Sequence, residues 1–191
     1  MCLLNMKIEE PIKGQFSTNI HFNDRGITKE GEVGKESTVY LLGKSMRNKI
    51  VLLVEDDPGS IELARRALGK NHIVKNLVIA QDGQEALDYL FGTWSQAKGD
   101  TPRLPVVVLL DLNMPGVDGL EILRRIRADD RTKLLPVVIF TSSTNKRDME
   151  KCYDLGANSY IYKPVDPKQF ADAVRQLSLY WLVLNEFHMT G

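Results

Sequence analysis

The sequence predicts an α/β domain with a parallel five-stranded sheet, and two observations carry that prediction. Ile50-Val51-Leu52-Leu53-Val54 and Val106-Val107-Val108-Leu109-Leu110 are short, wholly apolar runs. Such runs mark strands covered on both faces, whereas a half-exposed strand alternates apolar and polar residues. Strand-like and helix-like stretches then alternate along the chain, which gives parallel strands joined by right-handed crossovers.

The elements follow in order. After the first apolar strand, Ile61, Leu63, Ala64, Ala67 and Leu68 recur at helical spacing. Residues 74–80 are strand-like and residues 82–91 helix-like. Residues 92–105 are polar, with Gly and Pro, and read as a surface loop. The second apolar strand comes next, and Leu120, Ile122, Leu123 and Ile126 then mark a helix. Val137-Val138-Ile139-Phe140 is a strand, 147–155 a helix, 159–162 a short strand, and 167 to about 187 a long final helix. The domain therefore spans residues 49–187, about 140 residues, which is enough to enclose a core.

Residues 1–48 differ. Glycines are scattered, charges of both signs alternate, and apolar residues occur mostly singly. Such a stretch buries too little surface to offset the entropy of ordering it, so it is read as a flexible tail. Val39-Tyr40-Leu41-Leu42 is its one apolar patch. A form starting at Met46 is expected to fold by itself, and residues 188–191 form a short C-terminal tail.

The chain has 191 residues, a hydrophobic fraction of 43% and a formal net charge of zero. No basic stripe with interleaved aromatics points to nucleic acid. Cys2 and Cys152 fit neither a disulfide framework nor a metal spacing, which suits a reducing compartment. The N-terminus lacks the basic and apolar regions of a signal peptide. No apolar run approaches the ~18 residues of a membrane span. The expected address is the cytoplasm.

In an open parallel sheet, sites form beyond the carboxyl ends of the strands. Glu55-Asp56-Asp57 follow the first strand, Asp111 the third, Thr141-Ser142-Ser143 the fourth, and Lys163-Pro164 the fifth. Clustered carboxylates repel one another and call for a cation, and hard oxygen donors suit Mg²⁺. Asp111 then fits a nucleophile that takes a phosphoryl group. Lys163 offers a fixed positive charge to the phosphoryl oxygens, and Thr141 a hydroxyl donor.

Residues 49–187 resemble the receiver domain of two-component response regulators. The acidic pair Asp56-Asp57, the phosphoacceptor Asp111, Thr141 and Lys163 carry the resemblance. It implies a flavodoxin-like, doubly wound (βα)5 fold with strand order 2-1-3-4-5. It implies Mg²⁺ bound by Asp57, Asp111 and the main-chain carbonyl of Asn113, with Asp56 helping through water. It further implies a cis peptide before Pro164, and a switch in which Tyr160 turns inward as Thr141 moves toward the phosphoryl group. Tyr162 is expected on the opposite sheet face. The 92–105 loop, the Asp88-Tyr89-Leu90-Phe91-Gly92 helix end and the aromatic last helix resemble stand-alone receivers that partner bacterial phytochromes.

Plainer readings stand beside these. Asp57 before Pro58 is also a good helix start. Asn113-Met114-Pro115-Gly116 has the composition of a turn. Thr141 could cap a loop, Lys163 could be solvated, and Tyr160 could simply pack. For Asp57 the helix start and a metal role can hold together, for Tyr160 the switch rests on the resemblance, and the coincidence at four strand ends weighs against the plain readings of the others.

The final helix is apolar nearly all round at Leu179-Tyr180-Trp181-Leu182-Val183-Leu184. Phe170, Val174, Leu177 and Trp181 make its core stripe. Leu179, Leu182 and Val183 are left for other faces, which favours a homodimer through this helix over a cover formed by the N-terminal tail or the 92–105 loop. Four residues follow Phe187, so the expected output is protein binding, not DNA binding: to a sensor histidine kinase, a phosphotransfer protein or a downstream target.

Two other classes compete. A haloacid-dehalogenase-type phosphatase needs a second Asp two residues after the nucleophile, and Asn113 cannot supply that proton. A pseudo-receiver without phosphorylation would have lost Asp57, Asp111 or Lys163, and none is lost.

Overall fold

The computed structural model describes residues 20–23, 26–29, 49–69, 77–92 and 104–185. They fall into two compact units, Met1–Leu42 and Gly43–Gly191. In the first, β1 (Ile20–Asn23) pairs antiparallel with β2 (Gly26–Lys29), with Asn23 opposite Gly26. This hairpin is a local element within the 1–48 segment. Its register leaves a two-residue connection, a favoured hairpin length. The patch at residues 39–42 lies outside the described residues.

The second unit is the predicted α/β domain. Its strands are β3 (Val51–Val54), β4 (Leu77–Ala80), β5 (Val107–Leu110), β6 (Val137–Thr141) and β7 (Ser159–Tyr162). Its helices are α1 (Pro58–Gly69), α2 (Gly83–Phe91), α3 (Gly119–Ala128), α4 (Lys146–Asp154) and α5 (Pro167–Leu179). All strand pairings are parallel, in the order β4-β3-β5-β6-β7. Counted from β3 this is the expected 2-1-3-4-5.

Strand alternation divides the core between the two faces of the sheet. Leu52, Val54, Val108, Leu110 and Ile139 pack with Leu87 and Leu90 of α2, Ile122, Leu123 and Ile126 of α3, and Cys152 of α4. Val51, Leu53, Val107, Leu109, Val138 and Phe140 pack with Ala64 and Leu68 of α1 and Phe170 and Val174 of α5. Both faces are thus covered, which is why β3 and β5 carry no polar residue. The edge strand β4 is only partly buried over most of its length.

Local signals set the helix ends. Asp82, Asp118 and Asp166 each accept a hydrogen bond from the backbone N–H three residues on, at 2.7, 2.8 and 2.8 Å. Each satisfies an otherwise unpaired helix N–H. Pro167 occupies the first turn of α5, where a missing N–H costs nothing. Gly92 ends α2 at φ 103°, a left-handed conformation suited to glycine.

The last helix departs from expectation. α5 stops at Leu179 and a π-helical turn runs over Tyr180–Leu184, with Asn185 N–H donating to the Tyr180 carbonyl at 2.9 Å. Lys49 Nζ donates to the Leu182 carbonyl at 2.6 Å. The wider turn changes which faces successive residues occupy. Trp181 and Leu182 both enter the core beside Phe170 and Val174. Leu182, 1% exposed, is therefore a core residue and not a free interface residue. The side chains of Leu179 and Val183 lie outside the described residues, as does everything after Asn185.

Candidate functional site

The site follows from the register of the sheet. Val54 pairs with Leu110 in the parallel ladder, so Glu55 and Asp111 leave adjacent strands side by side. The ladder continues one step further: Glu55 N–H donates to Ala80, and Asp111 N–H to Val54, both at 3.0 Å. Lys163 N–H donates to the Thr141 carbonyl at 2.8 Å, bringing the ends of β6 and β7 together. Four strand ends thus deliver carboxylates, a hydroxyl and an ammonium to one edge.

Lys163 Nζ lies 2.6 Å from Asp111 Oδ2 and 2.6 Å from Glu55 Oε2. Asp111 Oδ1 accepts hydrogen bonds from Leu112 N–H at 2.7 Å and Asn113 N–H at 3.3 Å. The acceptor carboxylate is therefore held from both sides. Glu55 Oε1 accepts from Asp57 N–H at 3.3 Å. Burial pushes the Glu55 carboxyl above its ordinary value, although Lys163 pulls the other way. Burial alone would lower Lys163, but its hydrogen bonds to Asp111 and Glu55 outweigh it and hold the ammonium above its usual range. One positive charge is shared by two buried carboxylates.

Glu55, Asp56 and Asp111 each offer a carboxylate oxygen, and these lie within 4.8 Å of one another. Three hard oxygen donors at that spacing fit a small divalent cation. The membership corrects the expected pair Asp56-Asp57. Asp57 is the residue that turns away: its Oδ2 accepts from Ser60 N–H at 2.7 Å, at the start of α1. That bond holds its carboxyl below the usual range. The plain helix-capping reading of Asp57 is the one the geometry follows. Glu55 was legible from register, because it continues β3 by one residue just as Asp111 continues β5.

The acceptor loop packs tightly. A Cβ on Gly119 would lie 2.3 Å from the Asp111 carbonyl oxygen and 2.8 Å from Leu112 Cα. Only glycine lets the start of α3 approach this closely. Asn113 is exposed in the same loop, its N–H on Asp111.

Thr141 is fully buried, and its Oγ1 accepts from Ser143 N–H at 3.2 Å. Tyr160 packs against the core beneath α2–α4, and its hydroxyl donates to the Ser143 carbonyl at 3.1 Å. Tyr162 does not take the opposite face: its ring meets that of Tyr160 at 5.5 Å, edge-on. Period two puts residues i and i+2 on the same side, so the expectation misapplied it. The peptide before Pro164 is trans, since no cis bond occurs among the described residues. Trans is the lower-energy form even for X–Pro bonds, and with it Lys163 already reaches Asp111.

Comparison with known proteins matches residues 51–175 to the model of the response regulator receiver domain. The probable methanogenesis regulatory protein FilR2 of Methanothrix harundinacea is 37% identical over 136 residues, 71% of this chain and 85% of its own. Response regulator Rcp1 of Synechocystis is 35% identical over 70% of this chain and 89% of its own. A Mn²⁺-bound crystal structure of Rcp1 superposes with a TM-score of 0.66 over 74% of this chain and 99% of that one, at 33% identity. The phosphorylated cyanobacterial phytochrome response regulator RcpA gives a TM-score of 0.66 and 35% identity, over 72% of this chain and 96% of that one. Sheet order, strand-end chemistry and these matches agree, and the chain belongs to the response regulator receiver family, whose function is phosphorylation-dependent signalling.

Proposed function

We propose that Asp111 accepts a phosphoryl group from a sensor histidine kinase or a phosphotransfer protein. The observation that supports this best is the Lys163 ammonium, 2.6 Å from both Asp111 and Glu55. An Asp111 carboxylate oxygen bonds to phosphorus, the donor's P–N or P–O bond breaks, and the leaving group keeps the electron pair. Lys163 and the Thr141 hydroxyl stabilise charge on the phosphoryl oxygens. Glu55, Asp56 and Asp111 would hold Mg²⁺, joined by the main-chain carbonyl of Asn113 as the family resemblance implies. The ion's chemistry is to neutralise charge on the transferring group. The chain catalyses only its own phosphorylation and dephosphorylation, and its output is a changed surface around Thr141 and Tyr160.

The likeness to Rcp1 and RcpA supports a phytochrome-type kinase as the donor, acting in the cytoplasm. A homodimer through the last helix would use the half-exposed Tyr180; light scattering that shows a monomer at high concentration would remove it. The main test is intact mass after incubation with acetyl phosphate and Mg²⁺. One phosphoryl adduct is expected, absent without Mg²⁺ and absent in Asp111→Asn. No adduct on the wild type, and no structural response to beryllofluoride, would favour an unphosphorylated interaction module.

A further inference from the structure

Ser143 is the junction of a hydrogen-bond network that the phosphoryl chemistry does not by itself require. Its N–H donates to Thr141 Oγ1 at 3.2 Å, and its carbonyl accepts from the Tyr160 hydroxyl at 3.1 Å. Its own hydroxyl donates to Asp148 Oδ2 at 3.0 Å, and Asn145 N–H reaches that hydroxyl oxygen at 3.4 Å. Asp148 sits in the first turn of α4, the helix capped by Asn145. An acidic residue there ordinarily serves the helix dipole or reaches back to the cap N–H. Here it also ties a strand-end loop to the helix.

The tie bears on Thr141. An oxygen that accepts from Ser143 N–H has its own hydrogen left to donate, and the direction of that donation depends on where Ser143 is held. Ser143 is held by Asp148. We propose that Asp148 is a positioning residue: through the Ser143 hydroxyl it fixes the loop that aims the Thr141 hydroxyl at the phosphoryl group and keeps Tyr160 bonded to that loop. This rests on the reading of Asp111 as phosphoacceptor.

The test uses Asp148→Ala, Asp148→Asn, Ser143→Ala and the double variant Ser143→Ala/Asp148→Ala in the full chain. Asn removes the charge that interacts with the helix dipole but keeps an oxygen that accepts from Ser143. The rate of adduct formation with acetyl phosphate and Mg²⁺ is expected to fall about three- to tenfold in Asp148→Ala and Ser143→Ala, the range of one lost hydrogen bond. Asp148→Asn should stay near wild type, and the double variant should be no slower than either single one. A second readout needs no phosphorylation. Amide exchange at Ser143 should accelerate in Asp148→Ala and not in Asp148→Asn. Wild type that takes no adduct defeats the acceptor reading. Wild type that is labelled while Asn and Ala are equally slow, while Ala is unchanged, or while the two losses add, defeats the positioning role alone. Unchanged Ser143 exchange in Asp148→Ala defeats it in either case.

Discussion

Replacing Lys163 with methionine removes one charge and strands two. The lysine side chain is 10% exposed, and those of Glu55 and Asp111 are 1% and 5% exposed, so water cannot take over the ammonium's role. Deleting one partner of a buried ion pair costs about 3–5 kcal/mol, because the surviving charge is left uncompensated. Two carboxylates lose their counter-charge here, which places Lys163→Met in the upper half of that range at neutral pH without divalent ions. That is a large share of the roughly 5–15 kcal/mol that holds a domain folded. The pH dependence has a definite sign. Burial already raises the folded Glu55 above its reference value of 4.5, and losing Lys163 raises it further. A carboxyl with a raised folded pKa binds its proton more tightly in the fold, so acid favours the folded state. The deficit should be largest above the folded Glu55 pKa and shrink as pH falls toward 4.5. In the wild type, the contribution of Lys163 is fully present below 10.5 and lost as pH rises through its raised folded pKa. Urea unfolding of both proteins at about pH 5 and about pH 8 reads the difference. A loss under about 1 kcal/mol at the higher pH, or a loss that grows on acidification, would refute the reasoning.

Two further predictions separate residues that the sequence alone confuses. Asp57→Ala should cost about 0.5–2 kcal/mol by chemical denaturation, as a lost helix cap does, and leave Mg²⁺ affinity near wild type. Asp56→Asn should weaken Mg²⁺ at least about tenfold by calorimetric titration with little loss of stability; an equal loss of Mg²⁺ affinity in Asp57→Ala would restore the Asp56-Asp57 pair. Gly119→Ala, which would place Cβ 2.3 Å from the Asp111 carbonyl oxygen, should cost about 2 kcal/mol or more by urea unfolding and slow labelling of Asp111.

The sheet was readable because β3 and β5 have no polar residue, and strand order followed from the family resemblance. Three features were harder, each for a physical reason. Glu55-Asp56-Asp57 are three acids in a row, and composition cannot say which two face the pocket. The answer lay in the strand end: Glu55 continues β3, while Asp57 precedes Pro58 and serves the helix. The end of the last helix was projected at 100° per residue, which a π turn does not obey. That turned Leu182 from an expected outer residue into core. The hairpin of β1 and β2 gives little sequence signal because its strands are four residues each and lie in a polar context. The spacing of Ile20, Phe22 and Ile27 carries a weak period-two signal there.

Among the described residues β7 is the last strand in chain order and also an edge of the sheet, and Lys163 follows it directly. A chain emerging from the ribosome therefore makes β3, β5 and β6, and with them the two carboxylates, before their counter-charge exists. Until β7 docks, closing the central sheet would force unpaired anions out of water. Addition of the final strand relieves that opposition and completes the phosphoacceptor site in the same event. A nascent chain halted after β6 should remain open, and a competent site should appear only with the finished sheet.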